Sequence, residues 1–151
     1  MAAPPLILGI LCNWCAYRAA DAAGASREPS PAGVRLMRVM CSGRVEPSLV
    51  LEAFASGVDG VVLGACRPGD CHYLHGNCMA AFRVRMLHGM LDQLQIEQQR
   101  LELVWISASE GALFAASLRE MSTRLQSLGP IRAKSLGPIT GLALGSSGVV
   151  S

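Results

Sequence analysis

The chain has 151 residues, of which 51% are hydrophobic and 16% charged, with a formal net charge of +2. That length suits one domain that buries its own core without metal or disulfide staples, so a metal here would be more than scaffolding. A charge of +2, 5% aromatic residues and no basic stripe exclude a nucleic-acid footprint. A surface so poor in charge is expected to be covered in part by partners.

The most membrane-like stretch, PPLILGILCNW near the start, is far shorter than the roughly 20 apolar residues of a spanning helix. It also lacks a basic leader, since the first charge is Arg18. Neither a membrane span nor a secretory signal is predicted, and the cytoplasm is the expected compartment. Stable disulfides are rare there, so the six cysteines point to metal or redox chemistry.

In chain order, PLILGIL (Pro5 to Leu11) is an apolar run without polar alternation, as in a strand buried on both faces of a parallel sheet. A weaker helix is predicted over Ala16 to Ala25. VRLMRVM (Val34 to Met40) carries charges inside the run, which suits an edge strand. Pro47 sits at a helix start, and Val50, Ala53, Phe54 and Gly57 follow at helical spacing. VDGVVLGA (Val58 to Ala65) reads as the second central strand. A helix follows from about Asn77 to Leu94, with Val84, Leu87, Leu91 and Leu94 in register. LELVWIS (Leu101 to Ser107) is the second edge strand. The last helix, Ser109 to Leu128, shows a stripe of Phe114, Leu118, Met121, Leu125 and Leu128, with Ser107 and Glu110 spaced as a capping box.

This alternation predicts an α/β fold with a parallel sheet, helices on both faces and strand order 2-1-3-4, a small flavodoxin-like arrangement. Residues 1–128 form the expected domain. From 129 to 151 a Gly/Ser/Pro-rich segment with SLGPI twice reads as a disordered tail.

Cys12 and Cys15 follow the first strand, Cys41 the second, and Cys66 and Cys71 the third. In an open parallel sheet ligands bind beyond the carboxyl ends of the strands, where the strand order reverses. Neighbouring strands are about 4.8 Å apart, so loops from three of them converge within roughly 10 Å. Zinc, an iron–sulfur cluster and a dithiol redox pair compete for such a site. The C-x4-C of Cys66 and Cys71 is more ferredoxin-like than zinc-like, which favours iron–sulfur.

Gly43, Gly69 and Gly76 are expected in turns, for positive φ or for close backbone approach to cluster sulfurs. His72 is expected to hydrogen-bond near the site, His75 and His88 to be ordinary polar residues, and Cys78 to pack. Arg44 and Asp70 are solvated turn charges or partner contacts. No arrangement for nucleophilic catalysis is visible. The first strand is followed by CNWCAYRAAD instead of a glycine-rich dinucleotide loop, which argues against NAD or FAD. A flavodoxin-like flavoprotein fits the fold, but the loops carry thiols where phosphate-binding loops carry Ser, Thr and Gly.

The motifs LCNWCAY, VMCSGRVEP, CRPGDCHYLHGN and LVWISASEG resemble those of the delta (iron–sulfur) subunit of methyl-viologen-reducing hydrogenase, over about residues 6 to 128. The resemblance implies a [2Fe–2S] protein that passes electrons between a nickel–iron hydrogenase and the flavin subunit of heterodisulfide reductase, transforming no substrate itself. It assigns Cys12, Cys15, Cys41, Cys66 and Cys71 to the site, one more than a two-iron cluster needs. Arg67 stands where the family usually shows His, Cys78 where it has an aromatic or polar residue, and the tail is atypical. The alternative is a zinc-stabilised docking module built on the same cysteines.

Overall fold

The computed structural model describes residues 3–131. Four parallel strands, β1 (Ile7–Cys12), β2 (Val34–Val39), β3 (Gly60–Ala65) and β4 (Leu101–Trp105), form one sheet in the order β2-β1-β3-β4. Four helices connect or follow them: α1 (Ala16–Ala25), α2 (Pro47–Ala55), α3 (Gly76–Gln93) and α4 (Gly111–Leu128). Composition explains the strand order. β3 is buried throughout and β1 nearly so, while β2, with Arg35 and Arg38, is exposed over its middle four residues. A strand carrying two guanidinium groups belongs where one side meets water.

Side chains alternate between two apolar layers. Ile7, Leu11 and Val62 pack with α1 and α4, against Ala19, Phe114, Leu118 and Met121. Ile10, Val61 and Leu63 pack with α2 and α3, against Phe54, Val84, Leu87 and Leu91. Gly64 lets α1 settle directly on β3, because a Cβ there would lie 2.6 Å from the Ala16 Cβ. The register pairs Leu11 with Gly64 and Cys12 with Val39, so the carboxyl ends of the three cysteine-bearing strands lie level.

The Ser107/Glu110 capping box forms only in part. The Glu110 carboxylate accepts from the Ser107 backbone N–H at 2.7 Å, but α4 starts at Gly111 with no side-chain cap. The pair closes a turn ahead of the helix, because the Glu110 backbone N–H also returns to the Ser107 carbonyl. The expected tail lies outside the described residues from 132 onward. Its first residue is held in place: Gly129, at φ +76°, donates to Leu125 O and accepts from Arg100 Nη2 at 2.8 Å. None of the described helices is long and apolar enough to cross a membrane.

Candidate metal centre

The carboxyl edge of the sheet gathers all five cysteines singled out in the sequence. Cys12 closes β1 and Cys66 follows β3, so the pairing of the two central strands brings their sulfurs within 3.7 Å. Cys15, at the foot of α1, places its Sγ 2.9 Å from that of Cys66. These three sulfurs lie within 4.8 Å of one another, close enough to share a metal.

Cys41 and Cys71 form the other half. The extended backbone at Cys41 leads from β2 into a single 3₁₀ turn, Ser42–Arg44, and its thiol and that of Cys71 both lie against Gly76. A Cβ at Gly76 would sit 2.1 Å from Cys41 Sγ and 3.4 Å from Cys71 Sγ. Gly43 and Gly76 are therefore needed for space, since their backbones touch and neither has positive φ. Only Gly69 of the three turn glycines has positive φ, +88°. The two halves belong to one buried cluster of packed side chains that contains all five cysteines. All five are at most 8% exposed.

Crowded thiols cannot all ionise, and the protons are unevenly shared. The Cys15 thiol donates toward Cys12, and the backbone N–H groups of Trp14 and Ser42 add to that, lowering Cys12 to about 5 against burial. The same hydrogen bond, followed by burial, raises Cys15. Burial raises Cys66 to about 11 and also raises Cys41. One thiolate among protonated neighbours is an acceptor set for a cation, and filling it releases the remaining protons.

The loops are held from α3 and β4. Asn77, fully buried in the first turn of α3, donates through Nδ2 to the carbonyls of Cys66 (3.0 Å) and Arg67 (2.9 Å), while its Oδ1 accepts from the Cys78 N–H. Two turns along, Arg83 donates through Nη1 to the carbonyls of Gly43 (2.5 Å) and Val45 (3.0 Å), pinning the Cys41 loop. Arg67 forms a paired hydrogen bond with Glu110, which fastens the Cys66 loop to the β4 loop and lifts the Arg67 guanidinium further as it lowers Glu110. An Asn near a helix start is a capping signal that marks Asn77 in the sequence. Arg83 carries no such signal, because the carbonyls it holds are about 40 residues away.

Other expected roles change. Cys78 is exposed, not packed: it lies on the outward side of α3 while Asn77 and Ala80 turn inward. The exposed His72 stacks on Trp14 with ring centroids 4.0 Å apart and meets Tyr73 edge-on at 4.9 Å, clamping the Cys71 loop to the Cys12–Cys15 loop. His88 contacts Leu101 O at 2.9 Å, away from the cysteines.

A two-iron cluster, whose usual protein ligands are thiolates, fits these residues. The site supplies five buried thiols, backbone N–H groups beside them, and two side-chain donors without a partner among the described residues, Trp14 Nε1 and Ser42 Oγ. Unsatisfied buried donors on the loops that carry the thiols suit an anionic guest.

The family described as "Methyl-viologen-reducing hydrogenase, delta subunit" matches residues 7–129. The chain belongs to that family. Its matched span includes every element of the fold and all five buried cysteines. Among its relatives, the iron-sulfur subunit of the F420-non-reducing hydrogenase vhc from Methanococcus voltae is 49% identical over 86% of this chain and 90% of its own length. The corresponding iron-sulfur subunit of the F420-non-reducing hydrogenase from Archaeoglobus profundus is 48% identical over 85% and 93%. One subunit of the Ferredoxin/F(420)H(2)-dependent CoB-CoM heterodisulfide reductase from Methanosarcina acetivorans is 43% identical over 84% of this chain but only 16% of its own length. A domain like this one thus also occurs as a segment of a much longer polypeptide.

Proposed function

We propose that this delta-subunit family member is an electron-transfer protein whose [2Fe–2S] cluster is held by four of Cys12, Cys15, Cys41, Cys66 and Cys71. It would relay electrons between a nickel–iron hydrogenase, or a similar donor, and the flavin subunit of heterodisulfide reductase. The observation that carries this is the convergence of five buried thiols from three separate loops at the switch point of the sheet. When bound, such a cluster takes up and releases one electron at a time. The chain's part is to exclude water from the sulfurs, hold the thiolates in place and present the site to its neighbours.

The surroundings support a relay. Cys41 borders an open cleft whose rim includes Met40, Arg44, Tyr73, His75 and Met79. Beyond it, Leu74 is 75% exposed and Phe82 65% exposed. Leu74 also holds φ at +67°, a left-handed conformation that costs a branched residue roughly 1–2 kcal/mol. An apolar rim around a buried redox site is suited to a partner that closes over it and brings a second cofactor near. The relatives named as parts of a hydrogenase and of a heterodisulfide reductase support partners of those two kinds.

Metal analysis of anaerobically purified and reconstituted protein tests the cofactor. About two irons and two acid-labile sulfides per chain, with a brown colour and reversible bleaching by dithionite, are expected. Colourless protein holding one zinc would establish the docking-module alternative, and protein that retains no iron after reconstitution would refute the relay. Co-purification with hydrogenase and heterodisulfide reductase subunits under the same conditions tests the partners.

A further inference from the structure

Two buried side-chain donors have no partner among the described residues, Ser42 Oγ and Trp14 Nε1, and both belong to the cysteine loops. Ser42 directly follows Cys41 and is 1% exposed, and Trp14 lies between Cys12 and Cys15. Elsewhere the buried polar side chains are paired: Asn77 makes three hydrogen bonds and Arg100 three, one from each guanidinium nitrogen. A buried donor left unmade is costly, so a fold that pairs the others so completely keeps these two for something absent from the chain itself.

Their settings limit what that is. Ser42 lies against sulfur, since its backbone N–H bears on Cys12, whose Sγ in turn reaches toward Met40 O at 3.9 Å. The Trp14 ring packs on the apolar cluster that contains all five buried cysteines, and His72 stacked at 4.0 Å holds its plane. Two unpartnered donors, one hydroxyl and one indole, thus come from the two loops that carry Cys12, Cys15 and Cys41.

We propose that Ser42 Oγ–H and Trp14 Nε1–H donate hydrogen bonds to sulfur of the bound cluster and raise its reduction potential. The inference rests on the cluster reading above and goes beyond it by assigning two residues that are not ligands. The physical basis is electrostatic. Reduction adds one electron to the cluster, no proton moves, and each donor keeps its hydrogen. A hydrogen bond to sulfur strengthens as that sulfur becomes more negative, so each donor favours the reduced form.

The test is a redox titration of reconstituted protein, followed by electron paramagnetic resonance, with iron and sulfide measured on each sample. Ser42→Ala and Trp14→Phe should keep the wild-type iron and sulfide content. Each should shift the reduction equilibrium by about tenfold toward the oxidised form, about 59 mV more negative for a one-electron couple. Ser42→Thr, which restores the hydroxyl, should return the potential toward wild type. Intact clusters at the wild-type potential in both variants would overturn the proposal while leaving the cluster itself established. Wild-type protein without a cluster would remove both.

If one variant fails to assemble, the other is compared with wild-type protein, and the wild type can still overturn the proposal. Reconstitution in D2O should shift the iron–sulfur stretching bands in resonance Raman spectra, and unshifted bands would overturn the proposal.

Discussion

The two edges of the sheet treat buried polarity in opposite ways. At the amino edge Arg100, just before β4, is fully buried, yet each nitrogen of its guanidinium has a partner: Glu97 at 2.6 Å, Asp59 O at 3.1 Å and Gly129 O at 2.8 Å. Asp59 in turn accepts from the Leu6 N–H at 2.9 Å. At the carboxyl edge, five thiols and two side-chain donors are buried together and satisfied only in part. One edge is closed by the chain, whereas the other is built for a guest. Stability is expected to reside in the first and chemistry in the second.

The largest effect should come from breaking the closed edge. Arg100→Ala leaves the carbonyls of Asp59 and Gly129 without their buried donor and should cost about 1–3 kcal/mol of unfolding free energy for each in chemical denaturation. A loss below about 1 kcal/mol would mean that this edge is not the structural anchor. At the open edge the penalties are smaller but reach the cofactor. Gly76→Ala forces a Cβ into Cys41 Sγ and should cost about 1–3 kcal/mol with a marked loss of bound iron. Asn77→Ala frees the carbonyls of Cys66 and Arg67 and should cost a similar amount, about 1–3 kcal/mol. Iron retained at wild-type level in both variants would separate the clamps from the site.

A subtler probe uses protons. In iron-free protein the thiolate ultraviolet absorbance of one cysteine should appear as pH rises through about 5, because Cys12 is lowered, and should vanish in Cys12→Ser. The raised thiols of Cys15, Cys41 and Cys66 should stay protonated at neutral pH. A single transition in the ordinary cysteine range would contradict that ordering. The smallest change is at the rim: Phe82→Ser should alter stability by no more than about 0.5 kcal/mol while weakening partner co-purification. Unchanged co-purification would take Phe82 out of the docking face.

Much of this contrast is visible in the sequence and some is not. The apolar runs of β1 and β3, and the charges within β2 and β4, set the strand order because each is a statement about solvent on one face or none. Cysteines placed after successive strands announce a shared edge for the same reason. Cys78 shows where this ends. Its place in the first turn of α3 leaves open which side of the helix it faces, and the packing of Asn77 and Ala80 turns it outward. Arg100 is similar: a lone Arg beside a strand looks solvated until Asp59 and Gly129, 41 residues before it and 29 after it, close around it.

By itself the sequence determined the layered α/β fold, the sheet order and the placing of five cysteines at one sheet edge, since periodicity and position along strands are local properties. Tertiary structure alone decided which three thiols lie within reach of one another, which helix residues clamp the cysteine loops, and which buried donors are left without a partner among the described residues. These depend on distances between residues far apart in the chain, down to the space left by the missing Cβ of Gly76, and such distances are set only when the layers pack.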